Sequence, residues 1–196
     1  MTTAYPLYNP QMEHESCGVG AVIDLCGQAT HRTVSDALTI VERLSHRSGS
    51  DALGTTGDGV GIMTMLPHPL FSKWARSRGI RLGNAGDYAA GMFFLPEDEI
   101  ALQNAVGIFE GLAASEGLEV MAWREVPVKP ELLGSGALRS MPRIRQCFIP
   151  RPQGVKAGLD FERRLYILRR LFEKQQTDTY ICSLSSRTIV YKGMML

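Results

Sequence analysis

Apolar residues recur along this chain in two rhythms. Between Thr33 and His46, the residues Val34, Ala37, Leu38, Val41 and Leu44 fall three and four apart, and Thr33 with Asp36 supplies a capping-box-like start, so a helix is predicted there. A second helix is expected over Pro67 to Arg78 with Leu70, Phe71 and Trp74 on one side. A third is expected to begin near Pro96 and the acidic run Glu97-Asp98-Glu99 and to stop at Gly117. The stripe Phe161, Leu165, Leu168 and Phe172 marks a fourth over Asp160 to Lys174, with Arg163, Arg164, Arg169 and Arg170 on or beside its solvated side. Shorter apolar runs predict strands at Cys17 to Leu25, Val60 to Leu66, Tyr88 to Leu95, Leu118 to Val126 and Ile144 to Ile149. Tyr180 to Leu184 and Thr188 to Tyr191, joined by Ser185-Ser186-Arg187, read as a closing hairpin. Strands mixed with helices through both short and long connections imply an α+β layered domain.

Composition narrows the function classes. The 196 residues hold 21 Lys+Arg against 20 Asp+Glu, a formal charge of +1, so the field that phosphate-backbone binding requires is missing and nucleic acid is disfavoured as partner. No stretch reaches the roughly 18 consecutive apolar residues of a membrane span. The N-terminus has no Lys or Arg before Arg32 and no apolar segment of the secretory kind, which makes a cytoplasmic location the default. Residues Met1 to Ser16 are polar, carry Pro6 and Pro10, and read as a leader outside the core. Four cysteines without a Cys-x-x-Cys pair and four histidines without ligand spacing speak against a zinc site or a disulfide framework.

Three stretches carry residue types with possible chemistry. Cys17 heads an apolar run in Glu15-Ser16-Cys17-Gly18-Val19-Gly20, where it is either a buried structural thiol or a nucleophile. Arg47 follows Leu44-Ser45-His46 at a predicted helix end, where it serves either the helix C-terminus or a site. Gly57, Gly59 and Gly61 precede a strand, whereas a dinucleotide fingerprint follows a strand and opens a helix, so tight-turn glycines are the better reading.

Taken together and in this order, these stretches resemble class II glutamine amidotransferases, specifically the N-terminal domain of the glutamate synthase large chain. The resemblance rests on His14-Glu15-Ser16 before Cys17-Gly18-Val19-Gly20, on Leu44-Ser45-His46-Arg47, and on Thr56-Gly57-Asp58-Gly59. It continues through Trp123-Arg124-Glu125-Val126-Pro127-Val128 and Arg143-Ile144-Arg145-Gln146, then through the run from Tyr180 to Gly193. It implies an N-terminal nucleophile hydrolase fold, a four-layer αββα sandwich with two central antiparallel sheets, of which residues 17–196 form the N-terminal part. It also implies that a leader of residues 1–16 is removed, so that Cys17 supplies both a nucleophilic thiol and an α-amine base. An α-amine has an ordinary pKa of roughly 7.7–8, suited to proton transfer at neutral pH. The implied reaction is hydrolysis of L-glutamine through a glutamyl thioester on Cys17, with ammonia passed on to aminate 2-oxoglutarate.

By the same resemblance Arg47 supports the active-site end of the nucleophile strand, where positive charge favours thiolate. Ser48 stands where that family usually has glycine, a change that bears on the local turn. Gly57, Asp58 and Gly59 form a motif expected to hold a loop rather than to catalyse. No cofactor is expected in this chain, since FMN and an iron–sulfur cluster belong to the family's downstream synthase domain. Implied partners are glutamine, the remainder of the large chain or a complementing chain, and a small electron-supplying subunit. The Asn-Gly oxyanion hole and the Arg and Asp that grip glutamine lie, in that family, downstream of the closing hairpin, which makes the domain incomplete over these residues. Losing one oxyanion donor alone costs about 10²–10³ in rate. Two readings follow: an amidotransferase portion that is catalytic only when completed, or a non-catalytic structural or binding module.

Overall fold

The fold grows from two compact units, Met1–Gly49 and Ser50–Leu196. The computed structural model describes residues 17–47, 49, 57, 59–176 and 178–194. The expected leader at 1–16, Ser48 and Asp58 therefore lie outside the described residues.

In the first unit, helix α1 spans His31–Arg43 and a single 3₁₀ turn follows at Ser45–Arg47. The helix starts two residues earlier than its apolar spacing suggests, because Thr30 is the N-cap and its Oγ1 accepts the Thr33 amide at 3.3 Å. Thr33 is thus the third helical residue, and Asp36 pairs loosely with Arg32 at 3.9 Å instead of closing a capping box. Cys17 to Leu25 is not the central strand its apolar run predicts. An apolar run becomes a strand only by pairing with another segment, and Cys17 to Leu25 carries no strand ladder among the described residues. The run ends in a turn in which Asp24 Oδ1 accepts the amides of Cys26 and Gln28 at 2.8 and 3.1 Å.

The second unit comprises β1 (Gly59–Met65), α2 (His68–Ser77), β2 (Tyr88–Leu95), α3 (Glu99–Ser115), β3 (Ala122–Glu125), α4 (Ser135–Arg139), β4 (Arg143–Pro150), α5 (Leu159–Gln175), β5 (Tyr180–Ser185) and β6 (Thr188–Met194). Four strands form an antiparallel sheet in the order β3-β4-β2-β5, and β1 pairs antiparallel with β6 in a separate two-stranded sheet. Alternation along β2 sends Ala89, Phe93 and Leu95 to one face and Tyr88, Ala90 and Met92 to the other, so both faces are covered. The first face meets α3 through Leu102, Val106 and Phe109, and α5 through the expected stripe Phe161, Leu165, Leu168 and Phe172. There the Phe93 ring stands edge-on to Phe109 at 4.8 Å and to Trp123 at 5.2 Å. The opposite face meets Phe71 and Ala75 of α2 and Ile189 of β6. Helices, the four-stranded sheet and the two-stranded sheet with α2 beside it give this unit the layered α+β architecture with antiparallel sheets that the resemblance implies.

Three expectations are corrected in this unit. Leu70 is exposed, and the buried side of α2 is set by Phe71 and Ala75. The strand expected from Leu118 shortens to Ala122–Glu125 because Leu118 belongs to the end of α3. Gly117 has φ +69°, and the amides of Gly117 and Leu118 bond back to the carbonyls of Ala114 and Ala113, the Schellman arrangement that a residue without Cβ favours. Finally, β5 and β6 do not pair as a hairpin but lie in different sheets. The connecting serines explain the corner: Ser186 donates its amide and hydroxyl to Glu162 on α5, while Ser185 Oγ accepts the amides of Arg187 and Thr188. These bonds direct the linker's donors away from a cross-strand ladder.

Candidate functional site

The first unit sets the backbone that follows Cys17 against the end of the helix that leads to Arg47. A side chain at Gly20 would place its Cβ 2.4 Å from Ile40 Cγ2, and one at Gly18 would stand 3.0 Å from Leu44 Cδ2. The backbone of the Cys17 segment is therefore pressed onto the last turn of α1, and it runs against the helix direction. Gly18 and Gly20, two residues apart, thus face Leu44 and Ile40, four residues or about 6.0 Å apart along the helix. This register places Cys17 beyond Leu44, at the end of α1 from which the Ser45–Arg47 turn continues.

The turn is built by the chain around it. Leu44 closes the helix by donating its amide to the carbonyls of Ile40 and Val41, and Arg47 donates its own amide to Leu44 at 2.9 Å. His46 Nδ1–H donates to the Arg43 carbonyl at 2.9 Å, satisfying one of the acceptors a helix leaves open at its C-terminus. The helix end carries partial negative charge, which Arg43 and Arg47 offset. Cys17 and Arg47 are both exposed.

The four cysteines divide sharply. Cys147 in β4 is fully buried, and burial pushes its thiol up to about 12. Cys182 in β5, the extra residue where the register against Met92 and Phe93 shifts, is pushed up to about 11 by the same cause. Neither can act as a thiolate near neutral pH. Cys17 and Cys26 are the exposed pair, and Cys26 sits within the Asp24 turn.

The Gly57-Asp58-Gly59 motif lies in the other unit. Gly59 opens β1 opposite Met194, and neither Gly59 nor Gly61 has positive φ, so the tight-turn reading is corrected for these two, which stand in the strand. Gly61 is required for another reason, because a Cβ there would come within 3.0 Å of the Tyr191 carbonyl on β6. Among the described residues no group of three or more His, Cys, Asp or Glu could hold a metal ion, and no helix is long and apolar enough to cross a membrane.

Sequence reasoning missed the parts that set the register: Gly18 and Gly20 as contact points, His46 as the helix closure, and Thr30 as its cap. The legible trace was Gly-x-Gly, spaced by two, facing Ile-x-x-x-Leu, spaced by four. Comparison with known proteins supplies the broader frame. The chain is 39% identical over 189 residues to ferredoxin-dependent glutamate synthase 2, chloroplastic, of Arabidopsis thaliana, and 39% identical over 184 residues to ferredoxin-dependent glutamate synthase 2 of a Synechocystis strain. Each alignment covers 93% of this chain and 12% of the relative. Against the glutamate synthase (NADPH) large chain of Bacillus subtilis the identity is 37% over 199 residues, covering all of this chain and 13% of that protein. The chain thus spans about an eighth of the length of these relatives. The family model of the class-II glutamine amidotransferases matches residues 17–196, beginning at Cys17, and the chain belongs to that family.

Proposed function

We infer that this chain is the glutaminase portion of a glutamate synthase, with Cys17 as nucleophile. The observation that carries the reading is the coincidence at one residue: the family match begins at Cys17, and that cysteine is exposed at the arginine-bearing end of α1. Removal of residues 1–16 converts the Cys17 amide nitrogen into an amine that can accept and return a proton. The thiolate attacks the side-chain amide carbon of glutamine, and the resulting tetrahedral intermediate expels ammonia as the α-ammonium group protonates the departing nitrogen. Water then attacks the thioester, releasing glutamate and restoring the thiol. Arg47 supports the thiolate, and Gly57, Asp58 and Gly59 hold the loop that leads into β1. The ammonia serves amination of 2-oxoglutarate in the remainder of the large chain or in a complementing chain, with a small subunit supplying electrons. FMN and an iron–sulfur cluster belong to that remainder.

The test is ammonia release from glutamine by the full polypeptide, read together with its intact mass. Cys17→Ala is expected to abolish release, and the active species is expected to begin at Cys17. Undiminished release by Cys17→Ala overturns the reading. Absence of release by the unsubstituted protein favours the non-catalytic module instead.

A further inference from the structure

We propose that Gly20 and Ile40 form a positioning contact for the nucleophile: close approach of the Gly20 backbone to Ile40 fixes where the Cys17 thiol stands at the end of α1. The inference rests on the reading of Cys17 as nucleophile and extends it to two residues that touch neither substrate nor reacting atoms.

The contact is tighter than packing at an ordinary surface glycine. A Cβ built at Gly20 meets Ile40 Cγ2 at 2.4 Å, whereas at Gly27 in the same unit it meets nothing within 4 Å. Ile40 is β-branched and sits in a helix, where one χ1 rotamer dominates, so Cγ2 cannot swing away. Gly18 repeats the arrangement one helical turn further on, with Leu44 Cδ2 and Cδ1 at 3.0 and 3.1 Å from its hypothetical Cβ. Two consecutive contacts define both the height and the direction of the segment along α1. Cys17 is bonded directly to Gly18, and adjacent Cα atoms are held about 3.8 Å apart, so little freedom remains between the second contact and the nucleophile. Displacement of a reacting group by about 1 Å can lower a rate on the order of 10²-fold.

The same geometry supplies its own control. The Gly20 Cβ position lies 3.6 Å from Ile40 Cβ, an ordinary contact distance. Truncating Ile40 to alanine removes the clashing Cγ2 and leaves room for the methyl group of Gly20→Ala. In the full, leader-processed polypeptide, Gly20→Ala is expected to lower kcat for glutamine hydrolysis at least about tenfold with KM changed less than about threefold. Ile40→Ala alone is expected to lower kcat by a smaller factor, since it loosens the contact without displacing the segment. Gly20→Ala/Ile40→Ala should recover to within about threefold of Ile40→Ala. A second readout is the rate of Cys17 alkylation by iodoacetamide in the folded protein, followed by peptide mass. It is expected to change at least about threefold in Gly20→Ala and to return in the double variant. If the unsubstituted protein releases no ammonia, the nucleophile reading fails while the alkylation series still decides the contact. A Gly20→Ala chain with unchanged kcat and alkylation, or a double variant no better than Gly20→Ala, overturns the proposal. Should Gly20→Ala not fold, Ile40→Ala decides: unchanged kcat and alkylation in that variant overturn the proposal.

Discussion

Helices α1 and α5 carry the same kind of pattern and reach different depths. Each has apolar residues three and four apart, but α5 buries Phe161, Leu165, Leu168 and Phe172 completely, whereas α1 has no fully buried residue. The stripe of α5 meets large side chains, among them Phe93 and Phe109. Within its own unit, α1 offers Ile40 and Leu44 to bare glycine backbone. Periodicity therefore tells which face turns inward, and the size of the partner decides how much stability that face returns. In this protein the candidate nucleophile is held by a few close backbone contacts, and the large aromatic core lies elsewhere.

The largest expected effect follows directly. Phe172 is fully buried and touches the rings of Phe93 and Phe109 edge-on, at 6.2 and 5.3 Å. Phe172→Ala should cost about 3–5 kcal/mol, combining lost transfer energy with the cavity left behind. Val34→Ala on half-buried α1 should cost less than about 1.5 kcal/mol. Urea denaturation of both variants checks the pair, and equal costs would erase the distinction drawn between the helices.

What the sequence made legible divides along the same line. Strand β2 and helix α5 were readable because their residues meet partners of matching size on the expected faces, so local pattern and tertiary environment agree. The corner between β5 and β6 was hidden, because Glu162 lies 24 residues from Ser186 and no local pattern announces that its carboxylate takes the serine's donors. Leu118 looked like the start of a strand because its use as a helix closure depends on Gly117 adopting positive φ. Cys17 and Arg47 were singled out by family motifs, not by periodicity. Their common location at one end of α1 emerges only when Gly18 and Gly20 are seen against Leu44 and Ile40.

The cysteines sharpen the comparison through pH. Burial raises Cys147 to about 12 and Cys182 to about 11, above the ordinary thiol value of about 8.5. Their neutral forms are favoured in the fold, so this contribution is fully present below about pH 8.5 and is lost as pH rises toward the folded values. Stability should therefore fall above about pH 8.5, by up to about 1.4 kcal/mol per pH unit for each thiol. Cys147→Ala should flatten part of that slope in denaturation series from pH 8 to 10.5. In the folded protein at pH 8, iodoacetamide should label Cys17 and Cys26 and leave Cys147 and Cys182 unmodified. Labelling of all four at one rate would contradict the burial on which the comparison rests.

The smallest effect separates the charged sides of the two helices. Glu173 on α5 accepts a hydrogen bond from Arg169 Nε at 2.7 Å and pairs also with Arg170, and the Arg169 bond holds its carboxyl below the ordinary range. Arg169 in turn donates to the Ile181 carbonyl at 2.9 Å, so the ion pair ties α5 to β5. Asp36 and Arg32 on α1 stand 3.9 Å apart, both largely exposed and one helical turn apart on the same helix. Because the folded value of Glu173 is depressed, its contribution is present above the ordinary carboxylate pKa and fades as pH falls through the folded one. Glu173→Gln should therefore cost up to about 1 kcal/mol at pH 7, and the difference from the unsubstituted protein should shrink as the pH is lowered below about 4. Asp36→Asn should leave the denaturation midpoint unchanged at either pH. A loss for Asp36→Asn as large as that for Glu173→Gln would mean that α1 is anchored electrostatically where its side chains are not buried, and the contrast between the helices would have to rest on packing alone.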